Sequence, residues 1–233
     1  MSITVAGLVA RSWSRPQVVG HRGASAHEVE NTPASFEACI QSGAPAAECD
    51  VRLSRDGELV LVHDPVVEGK WVRDLSAACL HALGVSTLDE VLSITKDRSV
   101  LAVEIKQGNG IEESLAVLLT RRGLVDQVMV FAFDSRRVAM AVEACPTLFA
   151  VWLVGRPLEH WNFPELFARL SEIGASGLGI DYRYLTANLI AAAHSRGIPI
   201  FSWTVPPGPE ADRVRDLGVN FIITDYPAEV SAQ

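Results

Sequence analysis

Several polar residues stand at the ends of apolar runs: His21 and Arg22, Glu48 and Asp50, His63 and Asp64, and Glu104 and Lys106. Glu48 and Asp50 lie two apart, and so do Glu104 and Lys106. In an extended chain that spacing turns each pair to one face. Three carboxylates meeting at one rim (Glu48, Asp50 and Glu104) repel one another unless protons or a cation compensate. One hard divalent ion, Mg²⁺ or Ca²⁺ with Mn²⁺ as a further choice, takes oxygen ligands and suits such a set. Zinc suits it less, because neither cysteine nor histidines at helical spacing join the acids. His21 and His63 are natural proton carriers near neutral pH. Two imidazoles beside a metal suit phosphate-diester cleavage: one takes a proton from the attacking hydroxyl, and the other gives one to the leaving oxygen. Arg22 and Lys106 supply fixed positive charge for the phosphate oxygens. Any one of these acids alone reads as a solvated or salt-bridged residue, and either histidine alone as a packed or surface one. Their joint placement carries the reading. His27, His81, His160 and His194 lack such a setting and read as packing or surface residues.

The elements that must position these residues follow from the residue pattern. Short β-branched runs at 16–20, 46–51, 100–105, 127–133, 147–153, 177–181, 198–205 and 221–224 read as strands. Helical patterns fall at 33–42, 87–95, 112–122, 135–143, 164–173, 186–195 and 209–217. Thr32 and Pro33 supply an N-cap and a first helical residue for the earliest of them. Asp56-Gly57 marks a hairpin whose returning arm, 58–63, brings His63 near the height of Glu48 and Asp50. With that arm standing outside the count, the pattern is eight βα repeats. The expected fold is therefore α/β, a (β/α)8 TIM barrel, with the acids and histidines at the C-terminal strand ends where such barrels hold their sites. Residues 65–86 read as a short insertion after the hairpin, and residues 1–233 as a single domain. An open doubly wound sheet would want a GxGxxG turn after the first strand, which Gly20-His21-Arg22-Gly23 does not provide.

Composition agrees with a folded barrel. The 233 residues are 48% hydrophobic and 21% charged, with a net charge of −8. The acidic balance argues against nucleic acid and anionic membrane as main partners, since both favour basic surfaces. No uncharged apolar run approaches the roughly 18 residues of a membrane span, so stable membrane insertion is not expected. Cys39, Cys49, Cys79 and Cys145 form no metal or redox motif and read as reduced thiols of a cytoplasmic protein. The apolar run 3–10 lacks a preceding Lys or Arg and is followed by Arg11, Trp13 and Arg15, unlike a signal peptide.

The segments His21-Arg22-Gly23, Glu30-Asn31-Thr32, Glu48-Cys49-Asp50-Val51, Asp56-Gly57, His63-Asp64-Pro65 and Glu104-Ile105-Lys106 occur in that order. Ser202-Trp203-Thr204-Val205 and Thr224-Asp225-Tyr226-Pro227 follow. Together they resemble the motifs of the glycerophosphodiester phosphodiesterase family, over residues 18–227. The resemblance implies a TIM barrel, a divalent ion, and hydrolysis of a small-molecule glycerophosphodiester, such as glycerophosphocholine or glycerophosphoethanolamine, to an alcohol and sn-glycerol 3-phosphate. It implies Glu48, Asp50 and Glu104 as metal ligands, His21 and His63 as the acid/base pair, and Arg22 and Lys106 as phosphate contacts. Glu30 matches a motif position that could orient His21. Val29 stands where the family usually has proline, Pro206 where it commonly has asparagine, and the segment 66–71 replaces a longer family insertion. These departures bear on the alcohol more than on the chemistry.

Trp203 is a candidate to pack a glycerol face, and Trp71, in the insertion, is an aromatic candidate for substrate contact. Phe131 and Phe133 could serve as either core or rim. Trp152, Trp161, Phe163 and Phe167 read as helix packing on the barrel rather than as an exposed patch. The rival readings are a lysophospholipase D or sphingomyelinase D-like enzyme on the same barrel, and a non-catalytic phosphate-ester binding protein. A homo-oligomer is left open.

Overall fold

The barrel's interior is written in the alternation of its strands. The computed structural model of the protein describes residues 3–106, 108–155 and 162–231. In chain order these form α1 (Val5–Ser12), β1 (Gln17–Gly20), α2 (Pro33–Gln41), β2 (Ala46–Leu53), β3 (Leu59–Leu61), β4 (Val66–Val67), β5 (Lys70–Trp71), α3 (Ala77–Ala82) and α4 (Leu88–Thr95). Then come β6 (Val100–Ile105), α5 (Ile111–Arg122), β7 (Val128–Ala132), α6 (Ser135–Ala144), β8 (Phe149–Val154), α7 (Phe163–Glu172) and β9 (Gly177–Asp181). The chain finishes with α8 (Ala187–His194), β10 (Ile200–Trp203), α9 (Pro209–Asp216), β11 (Phe221–Thr224) and α10 (Pro227–Ser231). Strands β1, β2 and β6 to β11 pair in parallel. The β1–β2 pairing closes them into a ring, and β3 lies antiparallel on β2 outside it. This is a (β/α)8 barrel, with the hairpin arm outside the eight as the sequence predicts.

Because side chains alternate along a strand, each one feeds two cores. Ala47, Cys49 and Val51 of β2, and Leu101, Val103 and Ile105 of β6, pack outward in the large core beneath the helices. Ala46, Val100 and Ala102 belong to the inner core, with Met129, Phe131, Leu153, Phe201 and Phe221. The same parity turns Glu48, Asp50 and Glu104 inward, one layer above that apolar fill. The inner core is aromatic. Phe201 stacks on Phe221 at 4.1 Å and meets Phe131 edge-on at 5.3 Å. Strand β9 makes room for it with Gly177 and Gly179, where a Cβ would lie 2.9 Å from Phe201 and 2.4 Å from Leu153.

The opposite mouth is closed by α1. Thr4 caps this helix by accepting a hydrogen bond from Gly7 N at 3.2 Å. Val5 and Leu8 are buried in the inner core against the strand bases. The apolar run near the N-terminus is thus the barrel's floor. After β3, residues 65–86 hold the β4–β5 ribbon, a 3₁₀ turn at Val72–Asp74 and α3. Val60, Val72 and Leu80 form a small core of their own there. Trp152 and Phe167 are buried and Phe163 is partly buried, as helix packing predicts. Trp161 and His160 lie outside the described residues. Among the described residues no helix is long and apolar enough to cross a membrane.

Leu8→Ala removes a fully buried side chain from the floor. It should lower stability by about 2–5 kcal/mol, measured by urea unfolding. A loss under about 0.5 kcal/mol, the range of an ordinary surface substitution, would show that α1 does not pack into the barrel.

Candidate active site

Strands β2 and β6 pair with Asp50 opposite Glu104 and Glu48 opposite Ala102. One ligand oxygen from each of Glu48, Asp50 and Glu104 lies within 4.8 Å of the others, and all three residues are buried. Such a cluster needs positive charge. Lys106 supplies part of it. Its Nζ lies 2.8 Å from Asp50 Oδ1 and is also bonded to Glu104 Oε1. Arg22 supplies more, with Nε 3.0 Å from Asp50 Oδ2 and Nη1 donating to Glu30 at 2.8 Å. Glu30 therefore orients Arg22 rather than His21.

These partners divide the acids. Burial acts against the charged form of Asp50, but Lys106 and Arg22 outweigh it and hold the carboxyl below its usual range. Burial and then the Asp50 charge push Glu48 up to about 8. Burial also raises Glu104, in spite of Lys106. Burial alone would lower the pKa of Lys106, yet Glu104 and Asp50 keep its ammonium charged. Glu48 Oε2 accepts the Arg22 backbone N–H at 3.0 Å, while Oε1 is buried with no hydrogen-bond partner.

The loop after β1 is shaped for this purpose. Arg22 has φ 54°, a left-handed conformation that costs about 1–2 kcal/mol for a side-chain-bearing residue. Its two backbone groups are held in return. N–H bonds Glu48, and C=O accepts from Asn31 N at 3.0 Å and Ser35 Oγ at 2.9 Å. Gly23 follows at φ 86°, where a Cβ would lie 2.6 Å from the backbone of Ser35. The His-Arg-Gly order thus has a local reason.

His21 is tethered across the closing seam of the barrel. Its Nδ1 lies 2.6 Å from Asp225 Oδ1, just beyond β11, and its backbone N–H donates to Thr224 O at 2.8 Å. A carboxylate only accepts, so Nδ1 carries the proton. The other nitrogen, Nε2, stands 4.0 Å from Glu48 Oε2. Burial alone would lower the pKa of His21, but the Asp225 hydrogen bond and the Glu48 charge raise it above the ordinary value. His63 sits at the end of the hairpin arm. Asp50 O accepts from Val62 N at 3.1 Å, and His63 O accepts from the Arg52 guanidinium at 2.6 and 3.1 Å. Its Nδ1 is 2.8 Å from Asp64 Oδ1.

His21, Arg22, Glu48, His63, Glu104, Lys106 and Trp203 all line one cavity of about 160 Å³. Asp50 lies behind it, wholly buried. Phe131 and Leu153 help line the same cavity from the inner core, and Phe133 and Trp203 meet edge-on at 5.1 Å in its wall. Trp71 lies outside this cavity and lines a separate one of about 730 Å³. His27 and His194 pair with Glu229 and Asn220, outside the cup.

Two contributors emerge only from the fold. Asp225 positions His21. Asn31 grips Asp50 twice, donating from Nδ2 to Oδ2 at 3.0 Å and accepting the Asp50 backbone N–H at 3.2 Å. Both belong to motifs visible in the sequence, but their partners are set by strand closure and by the α2 entry loop.

Acids, imidazoles and fixed cations gathered at the C-terminal mouth of a parallel barrel define a barrel enzyme that acts on an anionic substrate. Comparison with known proteins narrows that class. Residues 21–229 match the sequence profile described as "Glycerophosphoryl diester phosphodiesterase family". The chain belongs to this family, and it is an enzyme that hydrolyses glycerophosphodiesters. It is 28% identical to the glycerophosphodiester phosphodiesterase of Caldanaerobacter subterraneus, over 90% of this chain and 94% of that one. A solved glycerophosphodiester phosphodiesterase from Thermotoga maritima superposes with a TM-score of 0.77 at 26% identity, covering 91% of this chain and 96% of that one. A phosphodiesterase from Oleispira antarctica, solved with sn-glycerol-3-phosphate, shares the fold with a TM-score of 0.81 at 22% identity, covering 95% and 98%.

Asp225→Asn should lower kcat by about 10–100-fold, the usual effect of losing an orienting partner, with little change in KM. The His21 imidazole, followed by NMR, should titrate at lower pH in this variant. An unchanged His21 titration would show that Asp225 does not position it.

Proposed function

We propose that the protein is a metal-dependent glycerophosphodiester phosphodiesterase that releases an alcohol and sn-glycerol 3-phosphate through acid/base catalysis by His21 and His63. The observation that carries this reading is the convergence of three inward acids, two carboxylate-anchored imidazoles and two cations on one cavity. Family membership and the product held by the Oleispira neighbour support it.

Glu48, Asp50 and Glu104 would hold the divalent ion. An all-oxygen donor set suits Mg²⁺, Ca²⁺ or Mn²⁺, and the buried, unpartnered Glu48 Oε1 fits a ligand to such an ion. When bound, the ion supplies Lewis-acid stabilisation of the charge on a phosphate oxygen. Arg22 and Lys106 add fixed positive charge from the protein side. Trp203 offers a flat wall for the glycerol carbons, and its buried Nε1–H, which has no partner, is a donor for a hydroxyl.

His21 presents Nε2 to the cup, with Asp225 ready to stabilise the imidazolium. It takes the proton of the attacking hydroxyl as the new P–O bond forms; that hydroxyl is water itself, or the neighbouring glycerol hydroxyl, in which case a water then opens the cyclic phosphate to glycerol 3-phosphate. His63 also lines the cavity beyond the cup, so it stands on the leaving side. In its protonated form it gives its proton to the alcohol oxygen as the old P–O bond breaks. The path onward runs past Arg52, Asp134 and Arg137. A polar wall of this kind suits a hydrophilic alcohol and not the acyl chain of a lyso-lipid. We read the catalytic domain as the single unit 1–233 with its small insertion at 65–86. We place it in the cytoplasm, in keeping with four cysteines that form no disulfide.

Chelation should abolish release of glycerol 3-phosphate from glycerophosphodiesters, and Mg²⁺, Ca²⁺ or Mn²⁺ added back should restore it. Full activity in chelator would overturn the metal. His21→Ala and His63→Ala should each lower kcat by about 10²–10⁴-fold while calorimetry still detects the ion, whereas Glu48→Gln should lose ion binding. A lyso-lipid cleaved far faster than any water-soluble diester would overturn the substrate class.

A further inference from the structure

The catalytic cup opens into a longer cleft. A second cavity, of about 510 Å³, shares His63, Glu104, Lys106 and Phe133 with the cup. It shares Arg52, Asp134 and Arg137 with a third, of about 730 Å³. Among the described residues, five arginines line this outer basin (Arg52, Arg55, Arg73, Arg136 and Arg137) against a single acid, Asp134. In a chain of net charge −8 that is a local reversal of sign.

Part of this charge is already committed. Arg137 pairs with the buried Glu112 at 2.7 Å, and Arg136 with Asp134 at 2.9 Å. Arg52 donates to the carbonyl of His63 and lies within the field of the Asp50, Asp64 and Glu104 carboxylates. Arg55 and Arg73 differ from these. Both are exposed, and neither guanidinium forms an ion pair among the described residues; Arg55 interacts with Asp56 only at longer range. The Arg73 guanidinium carbon lies over the Trp71 ring, 4.8 Å from its centroid, a cation–π contact made through the ring face. The exposed tryptophan of the insertion thus serves as a platform for a cation.

We infer that this basin binds a second phosphoryl group, carried by the alcohol half of the substrate, so that the favoured substrates are glycerophosphodiesters whose leaving alcohol is itself phosphorylated. The inference rests on the reading of the cup as a glycerophosphodiester site. Three features support it. The cleft runs from the cup past His63, on the leaving side. Its volume admits a polyol phosphate. Planar guanidinium forks match phosphate oxygens with paired donors. The insertion, through Trp71 and Arg73, then selects the alcohol by its charge.

The test compares substrates that differ by one phosphate. In the presence of divalent ion, kcat/KM is measured for glycerophosphoinositol 4-phosphate and for glycerophosphoinositol. The phosphorylated substrate should be favoured at least about tenfold, a factor that charge-assisted hydrogen bonds readily supply. The preference should fall toward one in the Arg55→Ser/Arg73→Ser double variant. It should also shrink as salt rises, because an exposed basin is screened. Each ratio is internal to one protein preparation, so a partly folded variant does not distort it. A glycerol–phosphate–glycerol–phosphate–glycerol diester forms a second arm. Preference for it alone identifies a repeating chain as the source of the second phosphate, and preference for the monophosphate identifies a small phosphorylated polyol. A wild-type ratio near one on both arms, or a ratio that the double variant leaves unchanged, would overturn the inference while leaving the phosphodiesterase reading in place. Failure to cleave any glycerophosphodiester would overturn both.

Discussion

The structure depends on keeping three carboxylates together inside the mouth of an apolar barrel. Water is largely excluded from Glu48, Asp50 and Glu104, so their mutual repulsion must be met by groups the protein itself provides. Lys106 bridges two of them, Arg22 reaches Asp50, and Asn31 holds Asp50 from both its side chain and its backbone. Much of the local architecture follows from this need. The left-handed turn at Arg22 exists so that its backbone N–H can meet Glu48 while its guanidinium meets Asp50. The dry layer of Phe131, Phe201 and Phe221 beneath the acids keeps the electrostatic contacts strong. The compensation is incomplete. Glu48, left with the least help, keeps a proton more readily than its neighbours and has an oxygen with no partner. A cation has most to offer at that oxygen.

Much of this was legible because strands impose a period of two. The i, i+2 spacing of Glu48 with Asp50 is enough to put both on one face, and the outward Ala47, Cys49 and Val51 show which face that is. The hairpin at Asp56-Gly57 was readable from its turn residues, as was its exclusion from the ring. The errors lie where local pattern and pairing part company. The run 198–205 shortens to Ile200–Trp203, and beyond the strand Val205 N donates to Ile223 O. The returning arm shortens to Leu59–Leu61, and the continuing Val62 instead bonds Asp50 O.

The roles that were not legible are those made by long-range closure. Asp225 lies 204 residues from His21, and nothing in either segment points to the other until β11 docks on β1. Glu30 illustrates the reverse. Its motif suggested a partner for the histidine, but its carboxylate accepts from the Arg22 guanidinium instead. The apolar run at the N-terminus has the length of a helix with one wet face, and only the open base of the barrel explains what it covers. Trp71 was placed near the substrate by its position in the insertion. The structure puts it in the outer basin, beyond the cavity that adjoins the cup, where Arg73 lies over its ring.

The bond between His21 and Asp225 joins the first strand's end to the last one's. A polypeptide still emerging from the ribosome has already made its acids, its hairpin and both imidazoles well before β11 exists. Until that final strand slots in beside β1, nothing fixes which nitrogen of His21 bears hydrogen or where the ring points. The acid–imidazole cup is therefore complete only when the ring is, and an unfinished chain carries its acids and both imidazoles without the partner that orients His21.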